Sequence, residues 1–297
     1  MEKIFLKATD NYDLELHLFE VANPKGYIQV LHGMEEHQER YEPFVKVLNE
    51  NGYTVLTSNM RGHGENAPLL GYFSDKNGYK LLLEDQKLIT KYYKERFNIC
   101  KIIIFAHSMG TIVTRNLLQT ESSDYDKVIL SGFPNPNGAV NIAIALSRLM
   151  ITFKGPKHFS KALENLAIGS FNKKIKNPKT DLDWLSYKEE NVEKYISDQY
   201  CGHGFKLSAL NDLFHLLKNM AKPNLYKNIN NIPLLLVSGV DDPCTGGKKG
   251  RLKSINILNK AGFKNITEIH YEKMRHEILN EKDHCTVEND IINFLNN

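Results

Sequence analysis

The chain has 297 residues, enough for one large domain or a core carrying an insertion. Hydrophobic residues make up 41% and charged residues 25%, an ordinary globular composition that excludes a disordered, collagen-like or coiled-coil chain. With 38 Lys and Arg against 35 Asp and Glu, the net charge is only +3. That lacks the basic excess of a nucleic-acid binder, and no nucleic-acid partner is expected.

The first ten residues have no basic segment leading into an apolar run, so no signal peptide is expected. Residues 4–8 and 14–19 alternate apolar and polar side chains and predict a hairpin at a sheet edge. Residues 27–31 and 53–57 predict strands, and between them 40–51 puts Tyr41, Phe44, Val45 and Leu48 on one helical face. A second amphipathic helix is expected over 81–97. Short, β-branched apolar runs at 102–106, 128–130 and 234–237 suit parallel strands covered on both faces. Helices are expected at 109–119 and 290–295, and a strand at 266–271. Strand and helix alternate, the pattern of an α/β fold.

The alternation breaks between residues 133 and 225. This segment opens with the loop Phe133–Pro134–Asn135–Pro136–Asn137–Gly138 and continues with helical patterns at 142–153, 159–168 and 207–220. A helical insertion between two strands is the simplest organisation, with residues 1–132 and 226–297 as the core and 133–225 as the insertion. The apolar-rich stretch 139–153 contains Asn141, Ser147 and Arg148, short of the ~20 apolar residues of a membrane helix, so no integral membrane segment is expected. The four cysteines, Cys100, Cys201, Cys244 and Cys285, form no CxxC pair. Free thiols in a reducing cytoplasm are therefore expected, with no metal: Cys201 and His203 alone are too few ligands.

The sharpest local signal is Ala106–His107–Ser108–Met109–Gly110, between a strand and a helix. A serine at such a turn is held with its hydroxyl above the sheet, and small residues two before and two after it prevent clashes. An N-capping serine is the bland alternative. A nucleophilic serine needs a base and an orienting acid, expected in the order acid, then histidine, after later strands. The strand 234–238 ends in Gly239–Val240–Asp241–Asp242–Pro243, and the strand 266–271 leads to Arg275–His276–Glu277. His276 is the expected base and Asp241 or Asp242 the acid, the other serving only the turn. Backbone N–H groups of Met109, after the nucleophile, and Met34, after the strand 27–31, are the expected oxyanion donors.

These segments together resemble a serine α/β-hydrolase of the monoacylglycerol lipase and lysophospholipase branch, bacterial type. The resemblance rests on His32–Gly33–Met34–Glu35–Glu36–His37 with Arg40–Tyr41, on Arg61–Gly62–His63–Gly64, on the Ser108 turn, and on Arg275–His276–Glu277–Ile278–Leu279–Asn280. Within the insertion, Asp183–Trp184–Leu185–Ser186 and Tyr200–Cys201–Gly202 match as well. The family's acid stands three residues after the Gly, which selects Asp242. The resemblance implies a mainly parallel eight-stranded sheet with helices on both faces and a helical cap. It also implies hydrolysis of carboxylic esters, often mono-acyl lipids, with no cofactor. Ala106 replaces the family's usual Gly, and Asn59 stands where an Asp is common; both departures are expected to be tolerated.

Two other functions remain open: an aminopeptidase, for which Glu189, Glu190 and Glu193 would have to grip the substrate amine, and a catalytically silent binding protein on the same fold. His32, His63 and His107 are expected to support loops, and Trp184 to pack between insertion and core. Residues 133–225 carry 13 basic and 8 acidic residues, a net +5, leaving −2 for the remainder. Seven lysines and the single acid Glu164 fall within residues 154–179. A solvated surface explains this, and so does transient contact with an anionic lipid surface.

Overall fold

A computed structural model describes residues 1–135, 139–227 and 229–297. In chain order the strands are β1 (Glu2–Lys7), β2 (Asp13–Phe19), β3 (Gly26–Leu31), β4 (Tyr53–Ser58), β5 (Ile102–His107), β6 (Tyr125–Ser131), β7 (Leu234–Gly239) and β8 (Ile266–Tyr271). They form one sheet in the order β1-β2-β4-β3-β5-β6-β7-β8. β1 and β2 are the expected hairpin, with Ile4 opposite Leu16, and β2 runs antiparallel to β4. From β4 to β8 every pairing is parallel. The chain moves outward from β3 to β4, then returns to place β5 on the other side of β3. That reversal opens a crevice at the carboxyl ends of β3 and β5, where α/β sheets of this kind hold ligands.

The helices of the core are α1 (Glu42–Glu50), α2 (Gly78–Phe97), α3 (Met109–Leu117), α8 (Gly247–Ala261) and α9 (His284–Asn296). β5 shows why both faces must be covered: all six residues are buried, and their side chains alternate. Ile103 and Phe105 meet Phe44, Val45 and Leu48 of α1 and Val287, Ile291 and Leu295 of α9. Ile102, Ile104 and Ala106 meet Leu82 and Ile89 of α2 and Ile112, Val113 and Leu117 of α3. Each such side chain contributes ~1.5–3 kcal/mol by burial.

Between β6 and β7 lie α4 (Val140–Lys154), α5 (Lys161–Ala167), α6 (Glu189–Ser197) and α7 (Leu207–Met220). Among the described residues this stretch holds no strand, only an isolated bridge between Phe159 and Lys206. Leu210, Leu213, Phe214 and Leu216 of α7 join the hydrophobic cluster of α2 and α3, which seats the insertion on the core. Of the expected loop 133–138, Pro136, Asn137 and Gly138 lie outside the described residues. No helix among the described residues is long and apolar enough to cross a membrane.

Three elements differ from the sequence expectation. α6 opens on Glu189 and Glu190 and buries only Asn191, Val192 and Tyr195, too weak an apolar stripe to stand out. α8 follows Gly246 and carries Gly247 and Gly250, which read as loop punctuation. The structure shows why Gly250 is there: a Cβ would collide with the Thr245 carbonyl oxygen. β6 begins three residues before the apolar run: the buried Tyr125 already pairs with Ile102, and Lys127 within the strand has a task of its own. Its amine donates to the Phe294 and Leu295 carbonyls at 3.1 and 2.7 Å, satisfying the end of α9.

The turn after β4 is anchored by Arg61, whose side chain is 1% exposed. Its guanidinium grips Asp85 of α2 at 2.7 and 2.9 Å, reaches Asp10 at 2.8 Å, and stacks on Tyr12 at 4.6 Å. Removing one partner of a buried pair leaves an uncompensated charge. Asp85→Ala is therefore expected to cost ~3–5 kcal/mol in urea unfolding. Asp10→Ala, at the partly exposed partner, is expected to cost ~1 kcal/mol or less. Equal effects of the two substitutions would refute this ranking.

Candidate active site

β5 runs straight into α3, and the joint is Ser108. Its backbone sits at φ 49° and ψ −115°, in a region that a residue with a Cβ occupies only when its surroundings force it there. The forcing contacts are the Ser108 N–H bond to the Ser131 carbonyl at 2.9 Å and the close approach of Gly110 to β3. A Cβ on Gly110 would strike the carbonyl oxygens of Leu31 and His32. Ala106 is fully buried, paired with Leu31 on one side and Leu130 on the other. Its methyl group is accommodated in this turn.

The loops after β7 and β8 deliver the other two groups. His276 Nε2 lies 2.9 Å from Ser108 Oγ, and His276 Nδ1 lies 3.0 Å from Asp242 Oδ2. The other Asp242 oxygen accepts the Cys244 N–H at 2.8 Å, which fixes the carboxylate plane. Asp241, the other aspartate of that turn, is exposed and accepts the Tyr187 hydroxyl at 2.9 Å. The side chains of His276 and Asp242 are 2% and 0% exposed. Burial acts to discharge His276, but the Asp242 carboxylate outweighs it, with Glu277 and Glu36 adding, and holds the imidazole above its ordinary value of 6.5.

The loop after β3 is held by an ion network that sequence reasoning did not assign. Glu36 accepts the Gly33 N–H and, at 2.8 Å, the Tyr41 hydroxyl. Arg40 bonds Glu36 at 2.6 Å and clamps Glu277 through two bonds of 2.8 and 2.7 Å. Glu277 also accepts Asn191 of α6 at 2.7 Å, and its N–H donates to the Leu185 carbonyl at 2.8 Å. Burial would raise the Glu277 carboxyl, but the Arg40 guanidinium prevails and holds it well below the usual range. The residues were visible as part of the His32–Tyr41 and Arg275–Asn280 motifs. Their pairing was not, since Arg40 and Glu277 stand 237 positions apart.

Ser108 opens onto a cavity of about 150 Å³ whose walls include Met34, Met109, Val140, Ala143, Leu213 and Phe214. Trp184 also lines it, with its ring 4.9 Å from the His276 ring, so it touches the site itself as well as packing on Phe171. The remaining motif histidines serve as supports. His32 accepts the Met60 N–H at 2.9 Å and packs on His63, and burial lowers its pKa to about 4. His107 lies beside His276, and burial lowers its pKa to about 4 as well. Asn59 accepts the Gln38 N–H at 2.9 Å, a loop-bracing role. Glu189, Glu190 and Glu193 are exposed and are not among the residues lining the cavity. Asp242, Cys244 and His276 also converge, but a cation there would break the Ser108–His276–Asp242 hydrogen-bond chain.

Solved structures share the whole architecture. A thermostable carboxyl esterase from Bacillus coagulans, solved with glycerol, superposes with a TM-score of 0.92 at 23% identity, covering 99% of this chain and 97% of that one. A monoglyceride lipase from Saccharomyces cerevisiae, solved with a substrate analogue, gives a TM-score of 0.76 at 19% identity, covering 99% and 94%. A monoacylglycerol lipase from Paleococcus ferrophilus gives 0.72 at 19% identity, covering 95% and 98%. These likenesses show the α/β-hydrolase fold. No match was found among curated proteins. The family model described as serine aminopeptidase, S33, matches residues 22–283, nearly the whole chain. With that match, this chain belongs to the serine aminopeptidase S33 family and is a serine hydrolase of the α/β-hydrolase fold.

Proposed function

We propose that this chain hydrolyses mono-acyl lipids or similar acyl esters through an acyl-enzyme intermediate. The observation that carries this reading is the unbroken hydrogen-bond chain Ser108–His276–Asp242 at the floor of a largely apolar cavity. Ser108 Oγ attacks the ester carbonyl while its proton passes to His276 Nε2. The carbonyl oxygen becomes an oxyanion, received by the backbone N–H groups of Met34 and Met109, each worth ~3 kcal/mol to the transition state. Collapse expels the alcohol, which takes the proton from His276. Water then repeats the sequence on the acyl-enzyme and frees the acid. Asp242 orients the imidazole and stabilises its cation. Residues 133–225 act as a cap, supplying walls through Val140, Ala143, Leu213 and Phe214.

The aminopeptidase alternative has less support. An amine-binding site needs an ionised, available carboxylate, and the acidic cap residues Glu189, Glu190 and Glu193 are exposed rather than among the cavity-lining residues. Glu36 and Glu277 line the cavity but are engaged by Arg40, and burial pushes the remaining Glu35 up to about 7. All four cysteines are free, which is compatible with a cytoplasmic setting.

The proposal extends to the cap's outer surface. Ile142, Leu146, Leu149 and Phe153 form one exposed stripe along α4, with Phe153 78% exposed. Lys154 and Lys157 follow it, and all seven lysines of residues 154–179 are exposed. Apolar side chains ringed by ammonium groups suit transient contact with an anionic lipid surface.

Labelling, substrate comparison, pH dependence and vesicle binding test this. A fluorophosphonate probe is expected to label Ser108, and Ser108→Ala to lower turnover of p-nitrophenyl acyl esters by ~10⁴-fold or more. Preference for aminoacyl-naphthylamides over an acetate-to-palmitate ester and monoacylglycerol series would overturn the substrate class. Because catalysis needs neutral His276, kcat/KM should fall as pH drops through a value above 6.5. Asp242→Asn should move that limb to lower pH while reducing kcat ~10⁴-fold. Binding to vesicles should rise with anionic lipid content, fall with salt, and weaken in Phe153→Asp; indifference to all three would refute the lipid contact.

A further inference from the structure

Cys201 and His203, one residue apart in sequence, are too sparse a pair to hold a metal, and in the structure Cys201 keeps different company. His37, in the loop after β3, comes up against the turn Asp198–Cys201 that follows α6. One ligand atom from each of His37, Asp198 and Cys201 lies within 4.8 Å of the others. We propose that these three residues form a binding site for a thiophilic divalent cation, zinc foremost, which fastens the cap to the loop after β3.

The chemistry of the donor set supports this. His37 Nε2 faces Asp198 Oδ2 at 2.7 Å, while its Nδ1 bonds Glu39 Oε2 at 2.6 Å. A metal-bound histidine is ordinarily oriented by a carboxylate on its other nitrogen, and Glu39 occupies that position. Asp198 Oδ1 accepts the Tyr200 N–H at 2.9 Å and Cys201 N–H bonds the Asp198 carbonyl at 3.0 Å, so carboxylate and thiol ride on one tight turn. An imidazole, a carboxylate and a thiol leave the fourth tetrahedral position to water. On binding, His37 Nε2 and Asp198 Oδ2 part from their 2.7 Å contact and the wider pairs, none beyond 4.8 Å, close toward the ~3.5 Å spacing that zinc–nitrogen and zinc–sulfur bonds impose. Glu39 and Asp198 make the surroundings anionic. The one nearby guanidinium, Arg40, is already matched by Glu36 and Glu277. Binding displaces the proton of the Cys201 thiol and that on His37 Nε2, both released to solvent; no redox change is involved.

The three other groupings of this kind among the described residues serve worse. Glu15, His17 and Glu39 include no thiol, and Glu15 is already paired with Lys3. His284, Cys285 and Glu288 lie within one turn of α9, with Cys285 exposed, and join nothing to anything else. Asp242 and His276 belong to the hydrogen-bond chain that ends at Ser108, and a cation between them and Cys244 would break it.

The test is direct binding, independent of any substrate. Titrating the full chain with Co²⁺ should produce a sulfur-to-cobalt charge-transfer band saturating at one equivalent. That band should vanish in Cys201→Ser and persist in Cys244→Ser. Competition with a chromogenic chelator should give a Zn²⁺ Kd weakened ~10-fold or more in Asp198→Asn and in Glu39→Gln, substitutions at partly exposed side chains that serve if Cys201→Ser fails to fold. At a hundredfold excess over Kd, Zn²⁺ should raise the wild-type Tm by ~5 °C or more. The proposal is overturned if no one-to-one binding occurs, if the band survives in Cys201→Ser, or if Asp198→Asn and Glu39→Gln leave the Kd unchanged.

Discussion

One buried guanidinium holds the site together. Arg40 bonds carboxylates from two distant segments, Glu36 in the loop after β3 and Glu277 immediately after His276. Through Glu277 it also reaches Asn191 on α6 and the Leu185 carbonyl. A buried ion pair is a weak source of net stability, because stripping water from the charges offsets most of the attraction. Its value here is geometric. The network can be satisfied only when the loop after β3, the segment bearing the imidazole and α6 of the insertion are all in place. The excess negative charge of two carboxylates against one guanidinium also favours a cationic His276.

The sheet and the Ser108 turn were legible in the sequence because both are local. Residues 102–106 are apolar throughout since β5 is covered on both faces, and Ala106 and Gly110 flank Ser108 because the sharp turn tolerates little else. The doubly buried strands β4, β5 and β7 could be placed within a residue or two. The choice of Asp242 over Asp241 was not local: both suit a turn, and the residues alone left them equal until the spacing of the resembled family selected Asp242, which the structure places against His276 while Asp241 is exposed and bonded to Tyr187. The Arg40 network and the meeting of His37 with Cys201 were out of reach for the same reason, since they depend on how segments far apart in the chain come to adjoin. α6 and α8 escaped notice for a different reason: a weak apolar stripe in one and three glycines around the start of the other mask a helix that tertiary contacts complete.

Trp184 shows how a reading can be right in kind and incomplete. It does pack between insertion and core, but its neighbour there is the imidazole of His276. The insertion therefore lines the cavity at Ser108 and sets an aromatic wall against His276.

α4 carries a consequence of its own. Val140, Ala143 and Ile144 face inward with the buried Ser147, while Ile142, Leu146, Leu149 and Phe153 face outward, so the helix is largely apolar on two opposite sides, with Asn141, Arg148 and Thr152 along one narrow flank. Detergent micelles, air bubbles and plastic walls all offer that outer side the same relief from water as a lipid surface does. Such interfaces would compete with one another for a single helix.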